Sequence, residues 1–270
     1  MKKQDINTTA LNSEKLKGLI SEKQLGWNLI VLEKVDSTSQ QIKLLAQQGA
    51  KSGTIIVAEQ QTNGKGRLGR QWCSPFGTGL WFSILLRPQI LPEKIAGITL
   101  ATGLAVCNAI RQYTNLNAQI KWPNDVIIGN KKVCGILTEM VSQSNKIEYV
   151  VVGVGINVNT LNFDDEISCK ATSLAKELGK NINREDFFAQ VLDKIQEEIN
   201  KYLSSPDSSI STDYIQLCAT LGRQVVVNRG NNTITGTAVA IANNGDLVVQ
   251  TEDGKAVLIN SGEVTVQGIY

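Results

Sequence analysis

Four short apolar segments follow one another closely between residues 118 and 158, and this run constrains the fold more than any other feature of the sequence. Only a few polar residues separate the segments. Such connections are typical of hairpins, because a parallel crossover needs a dozen or more residues. The run therefore predicts an α+β fold built on a mixed, largely antiparallel sheet, with strands at 118–122, 126–128, 132–141 and 147–158.

Helices are predicted to back this sheet. Residues 92–113 form a long, mostly buried helix with Pro at its first turn, and residues 12–24 form a short amphipathic helix with Leu16, Leu19 and Ile20 facing inward. Three more strands are predicted at 27–35, 53–59 and 79–87, and further helices at 36–50, 171–178, 184–203 and just before residue 220.

The last fifty or so residues change character. Segments rich in β-branched residues are separated by turn pairs such as Asn244-Gly245 and Asp253-Gly254, a pattern that predicts a small SH3-like β-barrel. Its strands are predicted at 224–228, 233–242, 247–251, 256–259 and 263–267. We therefore divide the chain into a lead-in (1–26), a main α+β domain (27–219) and a C-terminal barrel (220–270).

The composition excludes several classes of function. The 270 residues include 27 Lys+Arg and 25 Asp+Glu, so the net charge of +2 creates no global field toward nucleic acid or anionic membrane. The start of the sequence lacks a signal peptide, and no segment reaches transmembrane length without a charged or polar break. Five scattered cysteines without C-x-x-C spacing predict reduced thiols and a cytoplasmic protein.

The sequence contains no histidine. Catalysis by Ser-His-Asp or Cys-His groups is therefore excluded, as are metal sites built on histidine. Any chemistry must depend on lysine, arginine, carboxylates and positioned backbone groups, so charge stabilisation is the predicted mechanism.

Residues 61–75, Gln-Thr-Asn-Gly-Lys-Gly-Arg-Leu-Gly-Arg-Gln-Trp-Cys-Ser-Pro, place three glycines among three cations, and we call this segment the glycine-cation loop. Glycine lets a ligand approach the backbone closely. Lys65, Arg67 and Arg70 supply the positive charge that a phosphate or carboxylate requires. The loop therefore predicts an anion site.

The glycines of this loop also spell G-x-G-x-x-G, the dinucleotide-binding fingerprint. That motif requires a strand that runs into the first glycine and a helix that begins at the last. Polar residues separate the predicted strand at 53–59 from Gly64, and a proline follows Gly69 before any helical pattern begins. A Walker A loop is excluded as well, because no Gly-Lys pair is followed by Ser or Thr.

Four sequence elements together resemble the biotin protein ligase family, in order from about Val31 through the barrel. They are Asp36-Ser37-Thr38, the glycine-cation loop, Lys121-Trp122-Pro123-Asn124-Asp125, and residues 131–137 leading to residues 153–159. The resemblance implies a class II synthetase-like catalytic domain and a two-step reaction. ATP and biotin give biotinyl-5′-AMP and pyrophosphate, and a lysine of a biotin carboxyl carrier protein then takes the biotinyl group.

The resemblance also implies roles for single residues. The catalytic set is Lys132, Arg67, Arg70 and Lys121, with Lys132 expected to contact both the biotin carboxylate and the α-phosphate. Ser37, Thr38, Gln61, Gly64, Lys65, Gly66, Lys132 and Gly135 are implied for biotin. Arg67, Arg70, Trp72, Asn124, Lys132 and Asn157 are implied for ATP. Asp125 is the expected Mg²⁺ ligand, with waters and ATP oxygens completing its shell.

These residues also have ordinary structural interpretations. Ser37 precedes a predicted helix, with Gln40 at capping-box spacing. Lys132 alone is a hairpin lysine, and Trp72 alone is a tryptophan that packs beside a loop. Lys65 stands where the resemblance leads us to expect arginine. In the barrel, a glutamate at position 263 matches the family's C-terminal motif, so we expect the barrel to pack near ATP or the acceptor.

Two other functions compete with this interpretation. A lipoate ligase shares the fold and the adenylation chemistry, but its usual loop lacks the glycine-arginine arrangement found here. A biotin-responsive repressor needs a winged helix, and only one helix is predicted before residue 27, so we predict the monofunctional type without operator binding. The sequence identifies neither the acceptor protein nor whether the chain forms a homodimer.

Overall fold

The structure is a computed structural model that describes residues 10–20, 27–144, 146–206, 210–229, 232–260 and 262–270. Its helices are α1 (Ser13–Leu19), α2 (Thr38–Gln47), α3 (Ile95–Thr114), α4 (Asp165–Ser168), α5 (Leu174–Leu178), α6 (Arg184–Ser204) and α7 (Thr212–Leu217). Its main-domain strands are β1 (Asn28–Val35), β2 (Thr54–Gln61), β3 (Gly79–Leu86), β4 (Ala118–Lys121), β5 (Asp125–Ile128), β6 (Lys131–Gln143) and β7 (Lys146–Asn157). Most of the predicted lead-in, including the end of the 12–24 helix, lies outside the described residues.

The seven main-domain strands form one sheet in the order β1-β2-β3-β7-β6-β5-β4. Within it, β1 and β2 pair in parallel and are joined by the crossover helix α2, whereas the other neighbouring strands pair antiparallel. The four strands from residue 118 onward form the expected series of hairpins. The prediction of a mixed, largely antiparallel sheet backed by helices is confirmed.

Helices cover both faces of this sheet. On one face, α3 and α6 pack over the larger core, where the ring centroids of Phe82 and Phe188 lie 4.9 Å apart. On the other face, α2 buries Ile42 against a smaller cluster. Side chains alternate across a strand, so the neighbours Ile55 and Ile56 of β2 enter opposite cores. Apolar burial on both faces stabilises the sheet as the framework of the site.

The long helix α3 begins near the position that the sequence predicts. Pro92–Lys94 forms a single 3₁₀ turn that leads into α3, and the helix ends at Asn115 in the left-handed conformation, with φ of 60°. Among the described residues, Pro92–Thr114 is the one helical stretch long and apolar enough to cross a membrane. Its most apolar part is 61% buried inside the protein, as expected of the central helix of a core.

The first helix, α1, ends at Leu19, and the predicted helical residues 21–24 lie outside the described part of the chain. Asn12 caps α1 by accepting a hydrogen bond from the backbone N–H of Lys15 at 3.0 Å. Leu16 and Ile20, four residues apart, share the buried face. Leu19 is 40% exposed, so its predicted inward position is wrong; it lies beside this narrow face at the end of a single short helix.

The segment between β7 and α5 also departs from prediction. The helix predicted at 171–178 begins only at Leu174, where the Ser173 side chain caps it by accepting a backbone hydrogen bond from the first turn. Residues 170–172 are held instead by backbone hydrogen bonds to Lys132, in the manner of a parallel strand. The short helix α4 was not predicted.

The C-terminal residues form a second sheet of five antiparallel strands, in agreement with the predicted SH3-like barrel. Its order is β11-β10-β9-β8-β12, with β8 (Gln224–Arg229), β9 (Asn232–Ile241), β10 (Leu247–Thr251), β11 (Ala256–Ile259) and β12 (Glu263–Val266). Residues 230 and 231, between β8 and β9, lie outside the described part of the chain.

Hydrogen bonds join the barrel directly to the main domain. The buried indole N–H of Trp122 donates to the Gly245 carbonyl at 3.0 Å, and the backbone N–H of Trp122 donates to the Thr220 hydroxyl at 3.0 Å. Farther along the barrel, the backbone N–H of Tyr270 donates to the Asn130 carbonyl at 2.9 Å. These contacts place the barrel against the β4–β5 and β5–β6 turns of the main domain.

Candidate active site

Two connected cavities lie among the glycine-cation loop, the sheet and the barrel. The inner cavity, of about 50 Å³, is lined in part by Ser37, Thr38, Gln61, Lys65 and Gly135. The outer cavity, of about 510 Å³, is lined in part by Arg70, Lys121, Asp125, Asn157 and Glu263. Five residues line both cavities: Gly66, Arg67, Trp72, Asn124 and Lys132. A single elongated ligand would therefore pass these shared residues.

Hydroxyl groups form a buried network at the inner cavity. The Thr38 hydroxyl donates to Gln61 Oε1 at 3.0 Å and contacts Ser83 Oγ at 2.8 Å, which in turn contacts Ser39 Oγ at 3.0 Å. Gln61 Nε2 donates to Ser74 Oγ at 2.8 Å. The network fixes the orientation of these side chains, so they present defined donors and acceptors to a polar ligand group. Ser39 and Ser83 were not singled out by the sequence.

Ser37 occupies the N-cap position of α2, but its side chain makes no capping hydrogen bond. The capping-box prediction with Gln40 is therefore wrong; the Gln40 N–H donates to the Ser37 backbone carbonyl at 3.1 Å. The backbone N–H of Ser37 donates to Asp36 Oδ1 at 2.7 Å, which orients the residue. Ser37 is 1% exposed, and within the described part of the chain its hydroxyl makes no hydrogen bond, so this group is available to a ligand.

Two glycines make room for the indole of Trp72. A Cβ atom at Gly155 would lie 2.4 Å from Trp72 Nε1, and one at Gly135 would lie 2.9 Å from Trp72 Cζ3. The indole also meets Trp81 edge-on, with ring centroids 6.4 Å apart. Trp72 Nε1 is buried and has no hydrogen-bond partner, a costly arrangement that a ligand acceptor would relieve. Trp72 therefore packs on the sheet and lines both cavities.

The glycine-cation loop contains a tight turn. Arg67–Gly69 forms one 3₁₀ turn in which Leu68, at φ 55°, and Gly69, at φ 75°, are both left-handed. The backbone N–H of Gly66 donates to the Arg70 carbonyl at 2.8 Å and closes the turn. This turn separates the two arginines, so that each reaches a different partner.

Arg67 reaches toward both the main domain and the barrel. Its Nη1 donates to Asn124 Oδ1 at 2.7 Å, and its Nη2 donates to the Gly262 carbonyl at 3.2 Å. Burial is the main reason that the pKa of Arg67 is lowered from its ordinary value, although arginine keeps its charge. Arg70 instead forms an exposed ion pair with Glu263. Because exposed pairs contribute little to stability, Arg70 can exchange this partner for an anionic ligand.

Lys132 lies where the two cavities meet. Its Nζ is 2.6 Å from Asp125 Oδ1 and 5.2 Å from the centre of the Trp72 ring. Asn124 Nδ2 donates to the same Asp125 oxygen at 3.1 Å and to the Ile136 carbonyl at 3.0 Å. Lys132 is therefore a positioned cation and not only a hairpin lysine on the surface.

Lys121 is a buried cation with few partners. It is 7% exposed, and within the described residues its Nζ makes no ion pair or hydrogen bond; it lies 3.6 Å from the centre of the Tyr270 ring. Burial lowers the pKa of Lys121 to about 8, against the opposing influence of Asp125 and Glu263. Lys121 therefore carries its charge near neutral pH and loses it in moderately alkaline solution.

One wall of the outer cavity was missed by sequence reasoning. Residues 160–171, which include α4, contribute side chains to it, among them Phe163, Ile167 and Lys170. Asn157, a predicted site residue, donates its Nδ2 to the Thr172 carbonyl at 3.1 Å. This hydrogen bond ties the end of β7 to the segment that forms the wall. The sequence offers only a weak signal for this wall: about a dozen residues without hydrophobic periodicity separate a predicted strand from the next predicted helix. Such long connections in a compact domain often carry function.

The structure brings the predicted site residues together, with one exception. Each of them lines at least one cavity, apart from Gly64. The Gly64 carbonyl accepts from the Trp72 N–H at 2.9 Å, and a Cβ atom there would lie 2.4 Å from the Trp72 carbonyl oxygen. Gly64 therefore lets the loop close on itself.

The charge of the outer cavity favours an anion. Its lining includes five cationic and three acidic side chains. The cations are Arg67, Arg70, Lys121, Lys132 and Lys170, and the acids are Asp125, Asp164 and Glu263. A cleft with an excess of positive charge attracts phosphate and carboxylate groups.

Known proteins are similar to this chain in both sequence and fold. Residues 31–157 match the Biotin/lipoate A/B protein ligase family, and residues 220–266 match the Biotin protein ligase C terminal domain. The chain is 34% identical over 232 residues to the bifunctional ligase/repressor BirA of Bacillus subtilis, covering 85% of this chain and 71% of the relative. It is 30% identical over 247 residues to the biotin–[acetyl-CoA-carboxylase] ligase of Mycobacterium tuberculosis, covering 88% and 89%.

Among solved structures, the biotin protein ligase from Aquifex aeolicus in complex with biotin and ATP is similar, with a TM-score of 0.76 and 35% identity over 89% of this chain and 98% of that one. The α+β domain, whose residues 31–157 match that family, places the chain in the biotin/lipoate ligase class. Because the C-terminal match and these relatives are specific to biotin enzymes, the chain belongs to the biotin protein ligase family.

Proposed function

We propose that this protein activates biotin with ATP and transfers the biotinyl group to a lysine of a biotin carboxyl carrier protein. The observation that carries the proposal is the position of Lys132, where a hydroxyl-lined inner cavity meets a larger cationic outer cavity. This arrangement fits biotin in the inner cavity and ATP in the outer one, with their reacting groups adjacent.

In the inner cavity, the proposed ligands of the biotin ring are Ser37, Thr38 and Gln61. The Ser37 hydroxyl makes no hydrogen bond within the described residues, whereas Thr38 and Gln61 are oriented by their own network. Gly66 and Gly135 allow close approach of the ligand, and Lys65 adds charge at the rim of this cavity. Lipoate lacks the polar ureido group that such a set of donors and acceptors would recognise.

In the first proposed step, a carboxylate oxygen of biotin attacks the α-phosphorus of ATP. The bond to the β-phosphate oxygen breaks, and pyrophosphate leaves. Lys132, Lys121, Arg67 and Arg70 screen the two anions from each other and stabilise the charge that develops. Asn124 and Asn157 hold the walls between which the nucleotide would lie.

In the second step, the amine of the acceptor lysine attacks the carbonyl carbon of biotinyl-5′-AMP. The bond to the phosphate oxygen breaks, AMP leaves, and the amine loses a proton as the amide forms. This step needs no covalent enzyme intermediate and no histidine, which agrees with a sequence that has none.

We include Mg²⁺ in the proposal, with Asp125 as its protein ligand. The described residues contain no cluster of three acidic, cysteine or histidine side chains that could hold a metal. A single carboxylate fits an ion that is bound mainly by phosphate oxygens and water. When bound, Mg²⁺ would neutralise phosphate charge.

The remaining parts of the proposal concern partners and organisation. The Mycobacterium tuberculosis relative is named for its action on acetyl-CoA carboxylase, and this name supports a carboxylase carrier domain as the acceptor. We propose a cytoplasmic protein, in keeping with its five free cysteines, and we keep the boundary between main domain and barrel at 219/220. The absence of operator binding stays a prediction, to be checked by a gel shift in the presence of biotin and ATP, and sedimentation decides whether the chain forms a homodimer.

The decisive experiment supplies the protein with Mg-ATP and biotin and measures pyrophosphate release, with lipoate in a parallel reaction. We expect release with biotin alone. A recombinant biotin carboxyl carrier domain is then added, and mass spectrometry should show one biotinyl group on a lysine. Release with lipoate but not with biotin would refute the proposal.

A further inference from the structure

Tyr270, in the barrel, contacts two side chains that flank the β4–β5 turn of the main domain. Its ring lies 3.6 Å from Lys121 Nζ, and its hydroxyl donates to Asp125 Oδ2 at 2.5 Å. Both partners line the outer cavity, and so does Tyr270 itself. One barrel residue thus contacts both a cation and a carboxylate of the site.

The ring is the one direct partner of the Lys121 ammonium group within the described residues. A buried cation without a hydrogen bond or ion pair is unfavourable, and an aromatic face offsets part of that cost. Without the ring, the ammonium group would lose this restraint and would be free to turn away from its present position. The position of the Lys121 charge in the outer cavity therefore depends on the aromatic face.

The hydroxyl completes the hydrogen bonding of Asp125. Oδ1 of Asp125 already contacts Lys132 Nζ at 2.6 Å and accepts from Asn124 Nδ2 at 3.1 Å. Oδ2 is held by Tyr270. With donors at both oxygens, the carboxylate plane is fixed relative to Lys132, so the orientations of the two groups are linked.

Tyr270 is itself held in place. Its backbone N–H donates to the Asn130 carbonyl at 2.9 Å, and the preceding Ile269 is buried, with its N–H donating to the Val266 carbonyl at 3.1 Å. The Tyr270 residue is 37% exposed, so its side chain can be changed without opening a core. The anchored backbone presents the side chain to the cavity as a fixed support.

We propose that Tyr270 is a positioning residue for the nucleotide: it holds the Lys121 charge toward the phosphate groups of ATP and fixes Asp125 against Lys132. This inference rests on the proposed function. Tyr270 lines the outer cavity but not the inner one, so its influence should fall on ATP and spare biotin.

The test compares Tyr270→Phe, which keeps the aromatic face, with Tyr270→Leu, which removes it. Tyr113→Phe is the matched control, because it removes a hydroxyl that donates to the Asn183 carbonyl away from both cavities. ATP binding is measured by calorimetry without biotin. We expect Tyr270→Phe to weaken ATP about threefold and Tyr270→Leu about thirtyfold, whereas Tyr113→Phe has no effect.

Steady-state kinetics and a double variant complete the test. The KM for ATP should rise in the same order, while the KM for biotin stays within about twofold. In a Lys121→Met background, Tyr270→Leu should lose most of its effect, because its main partner is absent. Equal losses for ATP and biotin, an unchanged ATP affinity in Tyr270→Leu, or full additivity with Lys121→Met would each overturn the proposal. Because ATP binding is measured without biotin, the measurement tests the role of Tyr270 even if the protein forms no biotinyl adenylate.

Discussion

At the scale of single residues, the site depends on cations whose positions are fixed by quite different neighbours. Lys132 is oriented by a carboxylate, Arg67 by an amide and a backbone carbonyl, and Lys121 by an aromatic ring. Charges held in place before the reaction need no reorganisation when negative charge develops, which is the principal advantage of such a site.

Replacing Lys132 by Met should remove the charge expected to lie nearest to both reacting groups. We expect adenylation to fall by about 10²-fold or more, as measured by pyrophosphate release, because charge stabilisation is the main source of catalysis proposed here. The adjacent Lys131→Met is the matched control, since Lys131 is exposed and lines neither cavity. Similar losses in the two variants would contradict a specific role for Lys132.

The buried Lys121 should make ATP binding dependent on pH. Its pKa of about 8 leaves the side chain cationic below pH 8 and neutral above it, whereas an ordinary lysine stays charged to about 10.5. ATP affinity should therefore decrease as the pH rises from 7 to 9, measured by calorimetry. In Lys121→Arg this decrease should disappear, because arginine does not lose its proton in that range. An unchanged slope in the variant would assign the titration to another group.

The residues also show what a sequence can reveal. The motif around Lys121 and Asp125 is identified as part of a site from the sequence, because its residues match a motif of a known family. The support of Lys121 by Tyr270 was not, since 149 positions separate them and no local pattern links them. Ser37 shows the opposite case: local spacing indicated a capping box, but the hydroxyl makes no such bond.

At the scale of elements, two glycines of neighbouring strands determine how far the glycine-cation loop can approach the sheet. Gly135 on β6 and Gly155 on β7 are paired across the strands, and the indole of Trp72 lies over both. A side chain at either position would occupy the space of this ring. The sheet and the loop are thus matched in shape.

Gly155→Ala should disrupt this match. The added Cβ atom would lie 2.4 Å from Trp72 Nε1, so the indole and the loop must shift. We expect the KM for biotin to rise at least about tenfold, with a smaller effect on thermal stability. Gly18→Ala in α1 is the control, because nothing lies within 4 Å of a Cβ atom there. A Gly155→Ala enzyme with unchanged biotin affinity would contradict the inner cavity as the biotin site.

The elements differ in how well their sequences predict them. The hairpin series from residue 118 was predicted because short polar turns leave few alternatives, and the agreement is close. The segment of residues 160–173 was not, because its conformation is set by backbone pairing with Lys132 and by the Ser173 cap. Tertiary hydrogen bonds of this kind leave no periodic pattern in the sequence.

At the scale of the whole molecule, one buried ion pair joins three distant parts of the chain. Arg184 of α6 donates to both oxygens of Glu59 on β2, at 3.2 and 2.9 Å, and also to the Gly79 carbonyl at 3.0 Å. The backbone N–H of Leu11, before α1, also donates to Glu59. The pair therefore fixes the N-terminal segment and α6 on the sheet, and neither of its residues lines a ligand cavity.

Glu59→Gln should destabilise the protein strongly, because it removes the carboxylate charge that faces a buried guanidinium. We expect a loss of about 3 kcal/mol in the free energy of unfolding, measured by denaturant titration. Glu197→Gln, which removes an exposed pair with Lys194 and Lys201, should cost less than about 1 kcal/mol. Folded Glu59→Gln enzyme should keep its KM for ATP and biotin; equal costs for the two substitutions would contradict this account.

The contact between Arg67 and the Gly262 carbonyl has a consequence for how the enzyme is made. Gly262 and Tyr270 follow the lining residues of the main domain in the chain, so the barrel wall is synthesised after the main-domain walls of both cavities. Until the barrel has folded, Arg67 lacks its Gly262 partner and Lys121 lacks the Tyr270 ring. We expect adenylation to stay slow until the barrel has folded, so the order of synthesis delays the chemistry of the unfinished chain.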